Sequence, residues 1–193
     1  LSPGMTNAIT GVITAAADST PMVVFAGNTP SYHHTREAHQ QIRFHADASQ
    51  GDLYRPFSKR VWRVDDAKAL PDVIPTALRL AETGRPGVVF IDVPMDVFAQ
   101  KVEAPLPDLA HRRPTFERPV GDPTGIAKAA SALLAARRPV LYVGNGVALS
   151  DAQKELKALA ELTGIPVATT LTAKGQFPET HKLSLGVTGI WGS

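Results

Sequence analysis

Two continuous apolar runs, Met22–Gly27 and Val88–Val93, constrain most strongly what this chain can fold into. Neither alternates polar with apolar residues. A run of strand length without alternation suits a strand covered on both faces, as in a parallel sheet. Between the runs, Leu70, Val73, Ile74, Ala77, Leu78 and Ala81 recur at helical spacing behind a capping Asp65-Asp66 pair. The spacing predicts a helix over 67–82, which Pro75 kinks or delays and Gly84-Arg85-Pro86-Gly87 ends. A short strand is expected at 61–64. At the start, Ser2-Pro3-Gly4-Met5-Thr6-Asn7 is turn chemistry leading into a small-residue helix, Asn7–Ala17, able to pack closely against another backbone. The alternation of strand and helix argues for an α/β fold, with parallel sheets flanked by helices.

The rhythm is interrupted once. From Glu103 to Pro123 the chain carries Pro105, Pro107, Pro114, Pro119 and Pro123 with no apolar periodicity, the texture of an extended linker. Beyond it the alternation resumes, with a helix at 123–136, a strand at 139–143, the turn Gly144-Asn145-Gly146, a helix at 151–162 and a strand at 167–170. The expected organisation is one domain portion at 1–104, a linker at 105–120 and a second portion at 121–193. Residues 28–60 are the least regular part, with a short helix expected at 35–44.

Charge and cysteine content exclude several function classes. The 193 residues hold 20 basic and 18 acidic side chains. No basic run exceeds two residues, so a nucleic-acid stripe has little support. The absence of cysteine removes disulfides, thiolate metal sites and cysteine nucleophiles, and fits a cytoplasmic protein. Ala8–Ala17 is too short and too polar to cross a membrane, and no basic segment precedes it.

Some residues invite chemistry on their own. His33 and His34 follow the turn Thr29-Pro30-Ser31 and are candidates for proton transfer, since imidazole titrates near neutrality. The alternative is solvated loop histidines. With His39 and His45 they also form a candidate metal cluster, though without a fixed ligand spacing such as His-Glu-x-x-His. Gly144-Asn145-Gly146 after a strand admits a phosphate at a helix N-terminus, and hence a stand-alone nucleotide-binding module, but Leu149 stands where the third glycine of the dinucleotide fingerprint belongs.

Three stretches in order carry a resemblance. Ser2-Pro3-Gly4-Met5-Thr6-Asn7, followed by the first apolar strand and Gly27-Asn28-Thr29-Pro30, is one. Thr83-Gly84-Arg85-Pro86-Gly87 with its strand and Pro94-Met95-Asp96-Val97 is the second. Arg138-Pro139 to Gly146, Gly164-Ile165-Pro166-Val167 and Gly175-Gln176-Phe177-Pro178 form the third. Together they resemble the thiamine-diphosphate-dependent enzymes of the acetolactate synthase type. The first two stretches resemble the second half of that family's pyrimidine-binding domain, and the third resembles the opening of its Rossmann-like central domain. Parts of two three-layer, Rossmann-like or flavodoxin-like domains are thus expected.

The resemblance implies a carboligase or lyase, a transferase acting on a 2-oxo acid or related carbonyl compound. A decarboxylase or sulfoacetaldehyde-type lyase is the alternative within the family. It implies thiamine diphosphate with Mg²⁺, in a homodimer or tetramer. Pro3, Gly4 and Asn7 would lie against the cofactor. Thr29, Pro30, Gln40 and Met95 would line the substrate channel, with Gln40 or Gln41 matching a Phe-Gln-Glu element. Met95 stands where the family has lysine, which removes a cation from the channel wall and favours a less anionic or larger substrate. The central domain of acetolactate synthases holds FAD, and Gly189 and Trp191 would be on its flavin side, with Trp in place of His. The family's activating glutamate would lie before Leu1, and its Gly-Asp-Gly…Asn metal motif does not occur here. By itself this stretch is therefore expected to be inert.

Overall fold

The computed structural model describes residues 1–33, 36, 40, 49–104, 120–190 and 192. The chain divides into two compact units, Leu1–Phe116 and Glu117–Ser193. Apart from Val120, the linker expected at 105–120 lies outside the described residues, as do most of the helix expected at 35–44, His34, His39, Gln41, His45 and Trp191.

In the first unit, helix α1 (Ser2–Ala17) leads to β1 (Met22–Asn28), then β2 (Ser58–Arg63), α2 (Leu70–Glu82), β3 (Val88–Pro94) and the single-turn α3 (Met95–Phe98). The strands form a parallel sheet in the order β1-β3-β2. All seven residues of the central strand β3 are buried. Because successive strand side chains point to opposite faces, β3 feeds two cores. Val89, Ile91 and Val93 pack with Ala77 and Ala81 of α2. Val88 and Phe90 pack with Val12 of α1 and with Tyr54, whose ring stacks on Phe90 at 4.2 Å between centroids. Helices thus cover both faces, as the unbroken apolar run predicts.

Two details differ from expectation. Helix α1 begins at Ser2 rather than Asn7, because Pro3 falls in its first turn, where a missing N–H is no loss. The expected 67–82 helix opens as a 3₁₀ turn, Ala67–Ala69, capped by the Asp66 side chain accepting from the Lys68 amide at 2.9 Å, and becomes α-helical at Leu70. Pro75 sits inside α2.

In the second unit, α4 (Pro123–Ala135), β4 (Leu141–Val143), α5 (Gly146–Leu149), α6 (Gln153–Thr163), β5 (Val167–Thr169) and β6 (Ser184–Val187) follow in order. The three strands form a second parallel sheet, β4-β5-β6. Leu156 and Ala160 of α6 pack with Val143, Val167 and Phe177. Gly164, at φ +68°, ends α6 in the left-handed conformation that favours glycine. Strand β6 was not expected, and its apolar pattern is interrupted by Gly186 at φ +77°. No helix among the described residues is long and apolar enough to cross a membrane.

Candidate functional site

Helix α1 runs antiparallel to β1, so its first turn reaches the C-terminal edge of the first sheet. Ligands of open parallel α/β sheets bind at that edge, outside the carboxyl ends of the strands. Here the edge is made by the ends of β1 and β3, which lie side by side with Asn28 opposite Pro94.

A buried polar chain occupies this edge. Asp92, 1% exposed, is the one acid in the otherwise apolar β3. Its Oδ1 accepts from Gln50 Nε2 at 2.7 Å and its Oδ2 from Asn28 Nδ2 at 2.8 Å. Gln50 Nε2 also donates to the Gly27 carbonyl at 2.9 Å, and its Oε1 accepts from Ser2 Oγ at 3.1 Å. Asn28 Oδ1 accepts from the Thr29 amide at 2.8 Å. Ser2, Asn28, Thr29 and Gln50 are all buried. Burial pushes the Asp92 carboxyl above the usual carboxylate range, against the opposing pull of the Gln50 and Asn28 donors.

A short turn from the irregular region bolts the first turn of α1 to this network. Gln50–Leu53 is a 3₁₀ turn held by a capping box in which Asp52 Oδ2 accepts from the Ser49 amide. Just beyond it, Tyr54 donates from its hydroxyl to the Met5 carbonyl at 2.6 Å. Burial pushes the Tyr54 phenol up. Gly51 is required by space, since a Cβ there would meet Val61 Cγ1 at 2.9 Å. On the outer side of the edge, Asp96 accepts from the Ser31 amide at 2.7 Å and the Ser31 hydroxyl at 2.5 Å, which clamps the turn after β1 onto α3. Those two donors hold the Asp96 carboxyl below the usual range.

Most of the residues singled out in the sequence fall on this edge. Pro3, Gly4 and Asn7 lie exposed on the first two turns of α1, and a Cβ on Gly4 would meet nothing within 4 Å. Thr29 is buried and Pro30 half-buried in the turn after β1, while Met95, 55% exposed, opens α3 at the end of β3. His33 is half-buried in the 3₁₀ turn Ser31–His33, its ring 4.8 Å from that of Tyr32. Gln40 is exposed in a turn at φ +60°, and a second glutamine, Gln50, is buried within the edge. Among the described residues no three His, Cys, Asp or Glu side chains are grouped to hold a metal.

In the second unit, Gly189 is exposed in the turn after β6, at φ +97°. Gly144 precedes and Gly146 opens α5, a single turn of four residues, and the helix expected at 151–162 follows as α6. A helix as short as α5 lacks the aligned amides of a phosphate site.

Gln50, Asp92 and Ser2 were not singled out as site residues from the sequence. An acid embedded in an apolar strand was the available signal, because such a carboxylate must find donors.

Comparison with known proteins matches residues 1–49 to the thiamine pyrophosphate enzyme N-terminal TPP binding domain and residues 126–193 to the thiamine pyrophosphate enzyme central domain. The chain is 40% identical to the probable acetolactate synthase large subunit of Methanocaldococcus jannaschii, over 99% of its own length and 32% of that protein. It is 39% identical to the acetolactate synthase large subunit of Corynebacterium glutamicum, over 99% and 30%. With the acetolactate synthase isozyme 3 large subunit of Escherichia coli it shares 34%, over 99% and 33%. The chain spans about a third of the length of the curated relatives it matches. Two domain models in family order and relatives matched along nearly the whole chain agree with the α/β edge described above: the chain belongs to the thiamine pyrophosphate enzyme family.

Proposed function

We propose that this chain supplies the aminopyrimidine-facing and substrate-facing edge of an acetolactate synthase-like enzyme. In this reading the whole protein decarboxylates or cleaves a 2-oxo acid and transfers the acyl unit to a second carbonyl. The observation that carries it is the joining, through Ser2, Gln50, Asp92 and Asn28, of the α1 first turn to the turn after β1 at one sheet edge.

The residues present fit the cofactor's ring. Pro3, Gly4 and Asn7 are exposed, and the space beyond Gly4 is open, so a planar ring can lie against the backbone there. When bound, thiamine diphosphate supplies an acyl-anion equivalent, chemistry that side chains alone lack. This chain's part is to orient and to shield. Pro3 and Gly4 offer a flat backbone surface, Asn7 a carboxamide, and Thr29, Pro30 and Met95 the wall of the approach. His33, on the same turn, is the candidate proton carrier. Mg²⁺ would be held outside these residues, and the enzyme would work as a homodimer or tetramer in the cytoplasm. FAD on the Gly189 side of the central domain belongs to the same reading.

Met95 favours a second reading within the family. An uncharged side chain, 55% exposed where the family has lysine, suits a decarboxylase or sulfoacetaldehyde-type lyase with a less anionic or larger substrate. Substrate profiling of the full-length protein with thiamine diphosphate and Mg²⁺ tests both. Pyruvate consumed with release of CO₂ and formation of acetolactate is the expected result. Turnover of another 2-oxo acid or of sulfoacetaldehyde, with pyruvate untouched, moves the assignment to the second reading. No cofactor-dependent turnover of any of them contradicts both. Flavin absorbance of the same preparation tests FAD.

A further inference from the structure

Asp92 is an unusual occupant of its strand. It is a carboxylate 1% exposed, met by two neutral amides, in a strand whose other residues are apolar. Filling such a site with apolar groups of similar volume is often neutral or stabilising, so a buried acid there points to a role other than stability. Its chemistry suggests which one. An ionised carboxylate accepts hydrogen bonds and donates none. Both neighbouring amides must therefore turn their NH₂ groups toward it. That forces Gln50 Oε1 toward Ser2 Oγ, at 3.1 Å, and Asn28 Oδ1 toward the Thr29 amide, at 2.8 Å. Asp92, together with the Gly27 carbonyl that also accepts from Gln50 Nε2, thereby sets the acceptor on each side: one holds the first turn of α1, the other the turn after β1.

We propose that Asp92 is a positioning residue that fixes the α1 first turn and the Thr29-Pro30 turn relative to each other through Gln50 and Asn28. The proposal rests on the functional reading above only in assigning those turns to cofactor and substrate. The geometric coupling stands without it. Asp92 itself touches neither turn's exposed surface.

The test uses the full-length protein and three variants. Asp92→Asn places a donor against a donor, so one amide must flip and one turn loses its acceptor. Asn28→Asp sets two carboxylates at a 2.8 Å contact. The exchange variant, Asn28→Asp with Asp92→Asn, keeps every bond of the chain: the carboxylate at position 28 accepts from the Thr29 amide and from the new amide, whose oxygen accepts from Gln50.

Amide hydrogen exchange is the cofactor-independent readout. In Asp92→Asn, the peptide covering whichever turn loses its acceptor, 1–9 or 27–33, should exchange about tenfold faster, and the exchange variant should restore it. In the loaded enzyme the same variant should raise the constant of the released turn, the thiamine diphosphate Kd for 1–9 or the substrate KM for 27–33, on the order of tenfold to a hundredfold, with recovery in the exchange variant. If the wild-type protein binds no thiamine diphosphate, the functional reading falls and the exchange arm still decides the coupling. Unchanged exchange at both turns in Asp92→Asn overturns the proposal. So does an exchange variant as impaired as Asp92→Asn, including the case in which the single variant does not fold. A network serving stability alone would lower the melting temperature while leaving Kd and KM of the folded enzyme as they were.

Discussion

The two units are built on the same plan and differ in how much of the sheet they cover. In the first, every residue of β3 is buried and the helices α1 and α2 close both faces. In the second, the face carrying Leu141, Val143 and Val167 is packed against α6, while Tyr142 remains 66% exposed and α4 has no buried residue. The strand ends differ as well. The first sheet ends in a buried, hydrogen-bonded polar chain, whereas the second ends in open glycine turns at Gly144 and Gly189. Polar groups withdrawn from water and fully partnered hold one geometry, because any departure leaves a donor or acceptor unmet at a cost of about 1–3 kcal/mol each. The edge with the polar chain is therefore the more tightly held of the two among the described residues.

The largest expected effect breaks the comparison at its strongest point. Phe90→Ala empties the ring stacked between Tyr54 and the α1 face and should destabilise the first unit by about 3–5 kcal/mol. Tyr142→Ala, at a position 66% exposed whose hydroxyl accepts from Thr188 Oγ1, should cost about 1 kcal/mol or less. Denaturant unfolding of the two variants beside wild type measures both, and equal costs would erase the distinction between the units.

A smaller effect is a slope in pH, and it sharpens the account of the polar edge. Ser31 holds the Asp96 carboxyl below the usual range. Its stabilisation is present above the ordinary carboxylate value, about 4, and is lost as pH falls through the lower folded value. Asp92 runs the other way. Its carboxyl is pushed up by burial, so its contribution is present below the ordinary value and is lost as pH rises through the raised folded one. Acid titration of thermal stability should lose part of its low-pH decline in Asp96→Asn, and should decline more steeply with acid in Asp92→Asn. Slopes changing in the same direction in both would contradict the assignment.

Much of the architecture was legible because it rests on local patterns. The runs at 22–27 and 88–93 became parallel strands, and the 3.6-residue spacing from Leu70 to Ala81 became α2. Strand β6 escaped because Ser184-Leu185-Gly186-Val187 is short and broken by glycine. Helix α5 escaped because a single turn leaves no periodicity to read. The site was legible only in part. Pro3, Gly4, Thr29, Pro30 and Met95 stand in motifs that are contiguous in sequence. The contacts that bring them to one edge join Ser2 to Gln50 and Gln50 to Asp92, 48 and 42 positions apart, and nothing in local spacing encodes them. The same gap explains why Gln50, buried in the interior of the edge, carried no signal in the sequence.

The affinity of the full-length protein for thiamine diphosphate, compared between wild type and Gly4→Leu, decides whether the first turn of α1 faces the cofactor. Gly4 is exposed in α1, and a Cβ there meets nothing within 4 Å of this chain, so a side chain can be placed there without a clash at its Cβ. If the first turn of α1 lies against the cofactor ring, the leucine side chain takes the ring's place and the Kd rises on the order of tenfold or more. A folded Gly4→Leu protein that binds thiamine diphosphate as tightly as wild type would contradict the account.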